Sequence, residues 1–179
     1  MTITWIQAIL FGLLACLASM PGMGGTAIGN YTLGRPLVAG LIVGLIVGDV
    51  STGIMVGAAI QVIYIALVTP GGTVSADVRA ISYIGIPLSI AAIKGLGIDP
   101  STVEAAQMAA ALGAAVGTLG TVLFYGTATM NLVWQHIGWK AVEKGDFKKL
   151  YAVDMILPWV SHILFSFIPT LIITKMGAN

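Results

Sequence analysis

The chain has 179 residues, of which 58% are hydrophobic and only 8% are charged, and its formal net charge is +1. A soluble domain is nearer to about a quarter charged, and a small one leaves much of its surface in water. This much apolar side chain therefore indicates a protein whose solvent is a bilayer. The small net charge gives no bulk attraction to nucleic acid.

The first apolar run covers Ile3 to Met20, at the lower end of the roughly 20 residues that a spanning helix needs. Residues 1–20 contain no Lys or Arg, so the run lacks the basic start of a cleaved signal peptide and predicts a permanent membrane helix. It ends at residues 21–25, Pro-Gly-Met-Gly-Gly, a stretch that cannot hold a regular helix.

The second run, Leu37 to Val68, is predicted to break at Gly48-Asp49 into two halves, Leu37–Val47 and Gly53–Val68. Each half is short for a full span, and short or broken segments that carry glycine and a polar residue often mark a transport site. The alternative is a tight turn between two tilted helices, with Asp49 as a helix N-cap at the membrane surface.

Residues 69–73, Thr-Pro-Gly-Gly-Thr, break the chain again. Ser75 or Asp77 is then expected to cap a third run, Ala80 to Ile93, which is also short of a span. Further on, Asp99-Pro100-Ser101 predicts a helix start, with Ser101 as N-cap and Glu104 completing a capping box.

The fourth run, Val103 to about Leu132, is long and contains a G-x-x-x-G pattern from Gly113 to Gly117, which favours close helix packing. The final run, Met155 to Ile173, is long enough to span. Residues 135–154 between them are strongly polar and hold four of the eight Lys and Arg residues. The positive-inside rule predicts that this stretch is a cytoplasmic loop.

These runs together predict an all-α integral membrane protein. We expect a single membrane domain over residues 1–179, built as a multi-span helical bundle with short, broken or re-entrant helices.

Six polar residues inside or beside the apolar runs are candidate substrate-binding residues. A sugar presents hydroxyls that donate and accept hydrogen bonds, which amides and carboxylates can match. For each residue the alternative is a hydrogen bond between helices, and the charged groups Arg35, Asp49, Asp77 and Arg79 could be interfacial or could line a polar cavity. The six candidates are Gln7, Asn30, Asp49, Gln61, Thr73 and Asp77.

Catalytic and metal-binding patterns are missing from the sequence. The single cysteine, Cys16, lies in an apolar run, and His136 and His162 have no Cys, His or acidic neighbour at ligand spacing. Neither a Ser-His-Asp arrangement nor a phosphate-binding loop is present. We therefore expect no metal, no cofactor and no self-contained enzyme.

The stretch from Arg35-Pro36 through Gly48-Asp49-Val-Ser-Thr-Gly53 to Gly57-Ala-Ala-Ile-Gln61 resembles the enzyme IIC component of the mannose/fructose/sorbose family of bacterial phosphotransferase systems. The similarity extends over essentially the whole chain and includes Thr4-Trp-Ile-Gln7, residues 70–77 and residues 140–146. Some mannose transporters of this family carry Glu where this chain has Gln61, so the resemblance favours the sorbose-like branch. Members usually continue with further membrane segments, so this chain resembles their first two-thirds.

The resemblance implies a sugar-translocating subunit, multi-pass in the bacterial cytoplasmic (inner) membrane, for a hexose or an amino sugar. Its implied partners are a IID membrane subunit, with which it forms a hetero-oligomer, and cytoplasmic IIA and IIB subunits that relay phosphate to the sugar. The IIC subunit itself carries no phosphohistidine. Two alternatives stay open, another small transporter or channel and a non-transporting membrane scaffold.

Overall fold

The computed structural model describes residues 1–19, 28–65, 67 and 73–178, and the regular structure in these ranges is helical. The helices in chain order are α1 Trp5–Ser19, α2 Pro36–Val47, α3 Val50–Tyr64, α4 Val78–Leu96, α5 Val103–Glu143 and α6 Phe147–Gly177, with a π-helical segment, Gly29–Leu33, before α2. Three of them, α4, α5 and α6, are long and apolar enough to cross a membrane. The predicted all-α, multi-span architecture is confirmed, whereas the predicted breaks at 21–25 and 69–72 lie outside the described residues.

Helices α2 and α3 form a tight hairpin, which confirms the predicted break at Gly48-Asp49. Gly48 ends α2 in the left-handed conformation (φ 81°), and the Asp49 side chain caps α3 by accepting a hydrogen bond from the Thr52 backbone N–H. With 12 and 15 residues, the helices are about 18 and 22 Å long at 1.5 Å per residue. Both are shorter than the roughly 30 Å hydrocarbon core.

Four glycines let the two hairpin helices touch backbone to backbone. A Cβ built on Gly53 would lie 2.6 Å from the Gly44 Cα, and one on Gly57 would lie 2.9 Å from the Gly40 Cα. No side chain fits between the helices at these points, so small residues are a requirement of the hairpin geometry.

Helix α4 begins with the Asp77 cap and contains a π-helical turn, Ile81–Gly85, just before Pro87. The widened turn absorbs the proline, which has no N–H to donate. The helix therefore runs for 19 residues, further than the predicted run of Ala80 to Ile93, and reaches spanning length.

The start of α5 corrects one prediction. Thr102, not Ser101, is the N-cap, because the Thr102 hydroxyl oxygen accepts a hydrogen bond from the Ala105 N–H at 3.3 Å. The Ser101 hydroxyl instead donates to the Asp99 carboxylate at 2.7 Å. Glu104 consequently sits one position too early to complete a capping box.

The polar stretch 135–154 also differs from the predicted loop. Helix α5 continues to Glu143 and α6 begins at Phe147, so only residues 144–146 connect them. Gly145 takes a positive φ of 65°, and the Asp146 side chain accepts from the Lys149 N–H at 3.0 Å. The polar residues are therefore mostly on the exposed faces of two helix ends, a pattern that resembles a loop in sequence.

Helix α4 lies at the centre of the bundle. In its most apolar window 67% of the residues are buried, compared with 28% for α5 and 17% for α6. Its side chains Ile81, Tyr83 and Ile90 are fully buried. The outer apolar faces of α5 and α6 are of the kind that lipid chains cover.

Candidate functional site

A polar cavity of about 260 Å³ lies where the end of α1, the start of α4, the middle of α5 and the centre of α6 meet. The polar residues of its lining come from all four helices or from the caps that begin them. They are Ser19, Asp77, Arg79, Thr127, Asn131, His162 and Ser166, accompanied by Phe124 and Ala128.

Asp77 and Arg79 form an ion pair at this cavity. The Arg79 Nε donates to Asp77 Oδ1 at 2.9 Å, and the Arg79 backbone N–H donates to the same oxygen at 3.0 Å. The guanidinium carbon also lies 5.1 Å from the centre of the Phe124 ring, within cation–π range. Because an unpaired charge is costly inside a membrane, the pairing lowers the cost of placing these two side chains among apolar helices.

Glycines on α5 allow the Asp77 backbone to approach that helix closely. The Asp77 N–H donates to the Gly117 carbonyl at 3.1 Å. A Cβ on Gly120 would lie 2.6 Å from the Ala80 Cβ and 2.9 Å from the Asp77 Cβ. The predicted packing role of the Gly113–Gly117 region is thus observed, and it positions the ion pair against α5.

His162 connects two helices beside the ion pair. Its Nδ1 lies 2.7 Å from the Pro158 carbonyl oxygen of α6, and its Nε2 lies 3.3 Å from the Ser19 carbonyl oxygen at the end of α1. Only 3% of the residue is exposed. The ring therefore connects the end of α1 to α6.

Asn131 supplies an unused hydrogen-bond acceptor. Its Oδ1 is buried and has no hydrogen-bond partner, a property that it shares with Gln61 Oε1 among the described side chains. Most buried polar atoms in proteins are paired. An unpaired oxygen on a cavity wall is suited to a ligand that brings its own donor.

The cavity chemistry favours a small, uncharged, hydroxyl-rich ligand. The carboxylate of Asp77 and the guanidinium of Arg79 form an ion pair with each other. A charged ligand would therefore have to break this pair to gain a counter-charge in the cavity. Its volume of about 260 Å³ lies just below the roughly 300 Å³ at which drug-sized pockets begin. The described residues contain no group of three His, Cys, Asp or Glu side chains that could hold a metal ion.

Of the six residues predicted from the sequence, Asp77 lines this cavity. Gln7 lies elsewhere, with its amide nitrogen donating to the Ile46 carbonyl at 3.1 Å, which is a contact between helices. Asp49 caps α3 and lies 2.7 Å from Lys94 Nζ. The Lys94 ammonium and the Thr52 hydrogen bonds lower the pKa of Asp49 to about 2.

The remaining three candidates do not line the cavity. Gln61 lies in α3 with its buried oxygen unpaired, and Thr73 is exposed ahead of α4. The backbone of Asn30 belongs to the π-helical segment Gly29–Leu33, and its side chain lies outside what the structure describes. The structure therefore brings Asp77 together with residues that the sequence analysis did not select.

The residues that sequence reasoning missed carry a signal. The segments Ile81–Pro87 and Ile163–Pro169 share one sequence pattern, in which an Ile is followed by four other residues and then by Ile-Pro. In both segments a π-helical turn precedes the proline. The first turn follows Arg79, and the second lies between His162 and Ile168 and includes Ser166. Such turns are frequent at functional sites, so this repeat could have pointed to both walls of the cavity.

The structure is a bundle of membrane helices with a short helical hairpin and a polar cavity that contains an ion pair. These features define the class of polytopic membrane proteins with an internal polar site. Comparison with known proteins gives the family. Residues 5–179 match the family model described as the sorbose-specific IIC component of the phosphotransferase (PTS) system, and the chain belongs to this family. It is a multi-pass protein of the bacterial cytoplasmic membrane, as the resemblance implied.

Individual relatives agree with this assignment. The chain is 30% identical over 146 residues to the mannose-specific EIIC component of Escherichia coli K12 and 27% identical over 150 residues to the sorbose-specific EIIC component of Klebsiella pneumoniae. It is 30% identical over 167 residues to the fructose permease IIC component of Bacillus subtilis. These matches cover 82%, 84% and 93% of this chain and 50%, 51% and 58% of the relatives. The chain thus spans about half the length of the curated relatives that it matches.

The fold is that of a solved transporter. The cryo-EM structure of the mannose transporter ManYZ in complex with microcin E492 aligns with a TM-score of 0.73 at 22% identity, over 100% of this chain and 66% of that chain. A second structure, described as a membrane protein, aligns with a TM-score of 0.71 at 23% identity. At these identities the likeness establishes the fold alone.

Proposed function

We propose that this chain is the sugar-translocating IIC subunit of a phosphoenolpyruvate-dependent phosphotransferase system and that it binds one monosaccharide in the Asp77 cavity. The observation that carries the proposal is the polar cavity itself, set among apolar helices and lined by the Asp77–Arg79 pair, Asn131 and His162. Family membership supports the transport role.

The cavity offers what a neutral sugar needs. The Asp77 carboxylate oxygens can accept hydrogen bonds from sugar hydroxyls, and the Arg79 guanidinium can donate hydrogen bonds to hydroxyl oxygens. Asn131 Oδ1 can accept a hydrogen bond from a further hydroxyl. Charge-assisted hydrogen bonds are the stronger kind, so the pair is expected to supply most of the polar affinity. Among the substrates that the sequence analysis allowed, the neutralised pair favours a neutral hexose over an amino sugar.

Phosphoryl transfer belongs to other subunits in this proposal. The relatives are components of PTS systems, and the cavity residues of this chain do not form a nucleophile–base arrangement of the hydrolase type. A IID membrane subunit completes the sugar path. Cytoplasmic IIA and IIB subunits relay phosphate from phosphoenolpyruvate, and IIB phosphorylates the sugar as it emerges. The complex is accordingly a hetero-oligomer.

The experiment is uptake of labelled mannose, sorbose and fructose by cells that supply the complete phosphotransferase system. Asp77→Asn is expected to abolish uptake while leaving the amount of protein in the membrane unchanged. Asp99→Asn is the matched control, since Asp99 is a carboxylate in the loop before α5 whose partner is Ser101. Wild-type uptake by Asp77→Asn would overturn the site.

Gln61, a second candidate from the sequence, also remains part of the proposal. Gln61 carries an unpaired buried oxygen, so Gln61→Ala is also expected to reduce uptake without affecting membrane insertion. Normal uptake by Gln61→Ala, with loss in Asp77→Asn, would restrict the site to the cavity. Uptake that does not need phosphoenolpyruvate would instead indicate another class of transporter.

A further inference from the structure

A larger groove of about 570 Å³ adjoins the polar cavity. It lies between the later part of α5 and the first half of α6. Ala128 and Asn131 line both spaces, so the two share a wall. We infer that this groove is the outlet of the sugar path, leading from the Asp77 cavity to the lysine-rich turn between α5 and α6; the inference rests on the proposed function.

The groove carries chemistry that recognises sugars. Trp134 and Trp139 offer aromatic faces for the C–H groups of a pyranose ring, and Gln135 and Asp154 offer an amide and a carboxylate for its hydroxyls. Trp139 is 54% exposed, which leaves its ring accessible. A few polar groups on an apolar and aromatic wall are the usual composition of a small-molecule site.

Trp134 is held by a hydrogen bond within the protein. Its Nε1 donates to the Ser161 hydroxyl of α6 at 2.8 Å. A tryptophan of the aromatic belt normally directs this group toward the membrane–water interface. The Trp134 ring is therefore part of the α5–α6 contact, which favours a shaped groove over a simple interfacial anchor.

Asn131 lies where the two spaces meet. Its unpaired Oδ1 is costly to bury, and on the shared wall it can accept a sugar hydroxyl from either side. The sugar can thus keep one hydrogen bond while it leaves the Asp77–Arg79 pair. The direction of travel follows from the charges beyond the groove, because four lysines lie in the α5–α6 turn or in the helix ends beside it, and this region is predicted to be cytoplasmic. They are Lys140, Lys144, Lys148 and Lys149.

Filling the groove tests this inference. Gln135→Trp adds bulk at an exposed lining residue of the groove, and Tyr151→Trp is the matched control, because Tyr151 is 64% exposed, lies in the same region and does not line the groove. Sugar binding is measured on isolated membranes and uptake on intact cells. We expect Gln135→Trp to lose uptake but to retain binding, and Tyr151→Trp to retain both.

A second variant tests access directly. Gln135→Cys is expected to react with a polar, membrane-impermeant maleimide in inside-out vesicles but not in intact cells, and saturating sugar should slow the reaction. Cys16 is buried, with 2% exposed, so the wild-type protein provides the background. Normal uptake by Gln135→Trp, or a Gln135→Cys that reacts only with a lipid-soluble maleimide because lipid fills the groove, would overturn the inference. Absence of sugar binding by the wild-type protein would instead overturn the proposed function together with it.

Discussion

The close backbone contact between α2 and α3 predicts that a side chain at Gly53 destabilises the protein. In Gly53→Ala, the added methyl group would lie 2.6 Å from the Gly44 Cα and 2.9 Å from the Gly44 N, and it would also collide with the Gly40 carbonyl oxygen. All three partners are backbone atoms, so no side-chain rotation can relieve the contact. The two helices must therefore move apart.

The cost follows from this geometry. Overpacking typically costs about 1–3 kcal/mol, and because the contact is backbone to backbone we expect the upper end, about 3 kcal/mol. For a chain of this size, each 1 kcal/mol shifts Tm by roughly 2–4 °C, so Tm should fall by about 6–12 °C. The assay is thermal unfolding of the purified protein in detergent micelles.

Gly95→Ala is the matched control for this experiment. Gly95 lies near the end of α4, and the nearest atom to an added Cβ is the Met1 nitrogen at 3.9 Å, an ordinary contact. Alanine is favoured over glycine in helices by up to about 1 kcal/mol, so Tm should stay the same or rise. A Gly53→Ala protein with wild-type Tm would refute the close contact of α2 with α3.

Three further predictions address the cavity, the α5 cap and the hairpin turn. Asn131→Leu removes an unpaired buried oxygen, so the free energy of unfolding should be equal or higher. Sugar affinity, measured by calorimetry, should fall by about 2–12-fold, which corresponds to one hydrogen bond of about 0.5–1.5 kcal/mol. Unchanged affinity would contradict the role of this side chain. Thr102→Ala should lower the free energy of unfolding by about 1 kcal/mol, whereas Ser101→Ala should have a smaller effect, and the reverse order would contradict the observed cap. The pKa of Asp49 is lowered from 3.8 to about 2, so its contribution to stability is present above pH 3.8 and is lost as pH falls toward 2. The fall in Tm between these pH values should therefore be smaller in Asp49→Asn than in the wild-type protein. Equal falls in the two proteins would contradict the Lys94 pairing.

Local sequence signals predicted a large part of the fold. The first helix and the break at Gly48-Asp49 followed from apolar run length and from residues whose effect is confined to one turn. The alternative in which Asp49 is an N-cap describes its observed geometry. The continuation of α5 through 135–143 was missed because exposed polar residues on a helix end have the same composition as a loop.

The candidate site was only partly predictable, because it forms from distant segments. Asp77 was selected because it lies beside a break in the chain, but Asn131 and Ser166 acquire meaning only when α5 and α6 pack against α4. The spacing of His162 predicts neither a metal-binding nor a catalytic role, and the structure shows that its ring connects α6 with α1. Run length and spacing carry no information on such long-range convergence.

The function proposed for the Asp77 cavity is the binding of a neutral monosaccharide. The most direct measurement is calorimetric titration of the purified protein, together with the proposed IID subunit, using mannose, sorbose, fructose and an amino sugar. We expect binding of at least one neutral sugar and, in Asp77→Asn, a loss of about 10–150-fold in affinity, since a hydrogen bond to a charged group contributes about 1.5–3 kcal/mol. Equal affinity of the wild-type protein and Asp77→Asn, or binding of the amino sugar alone, would contradict it.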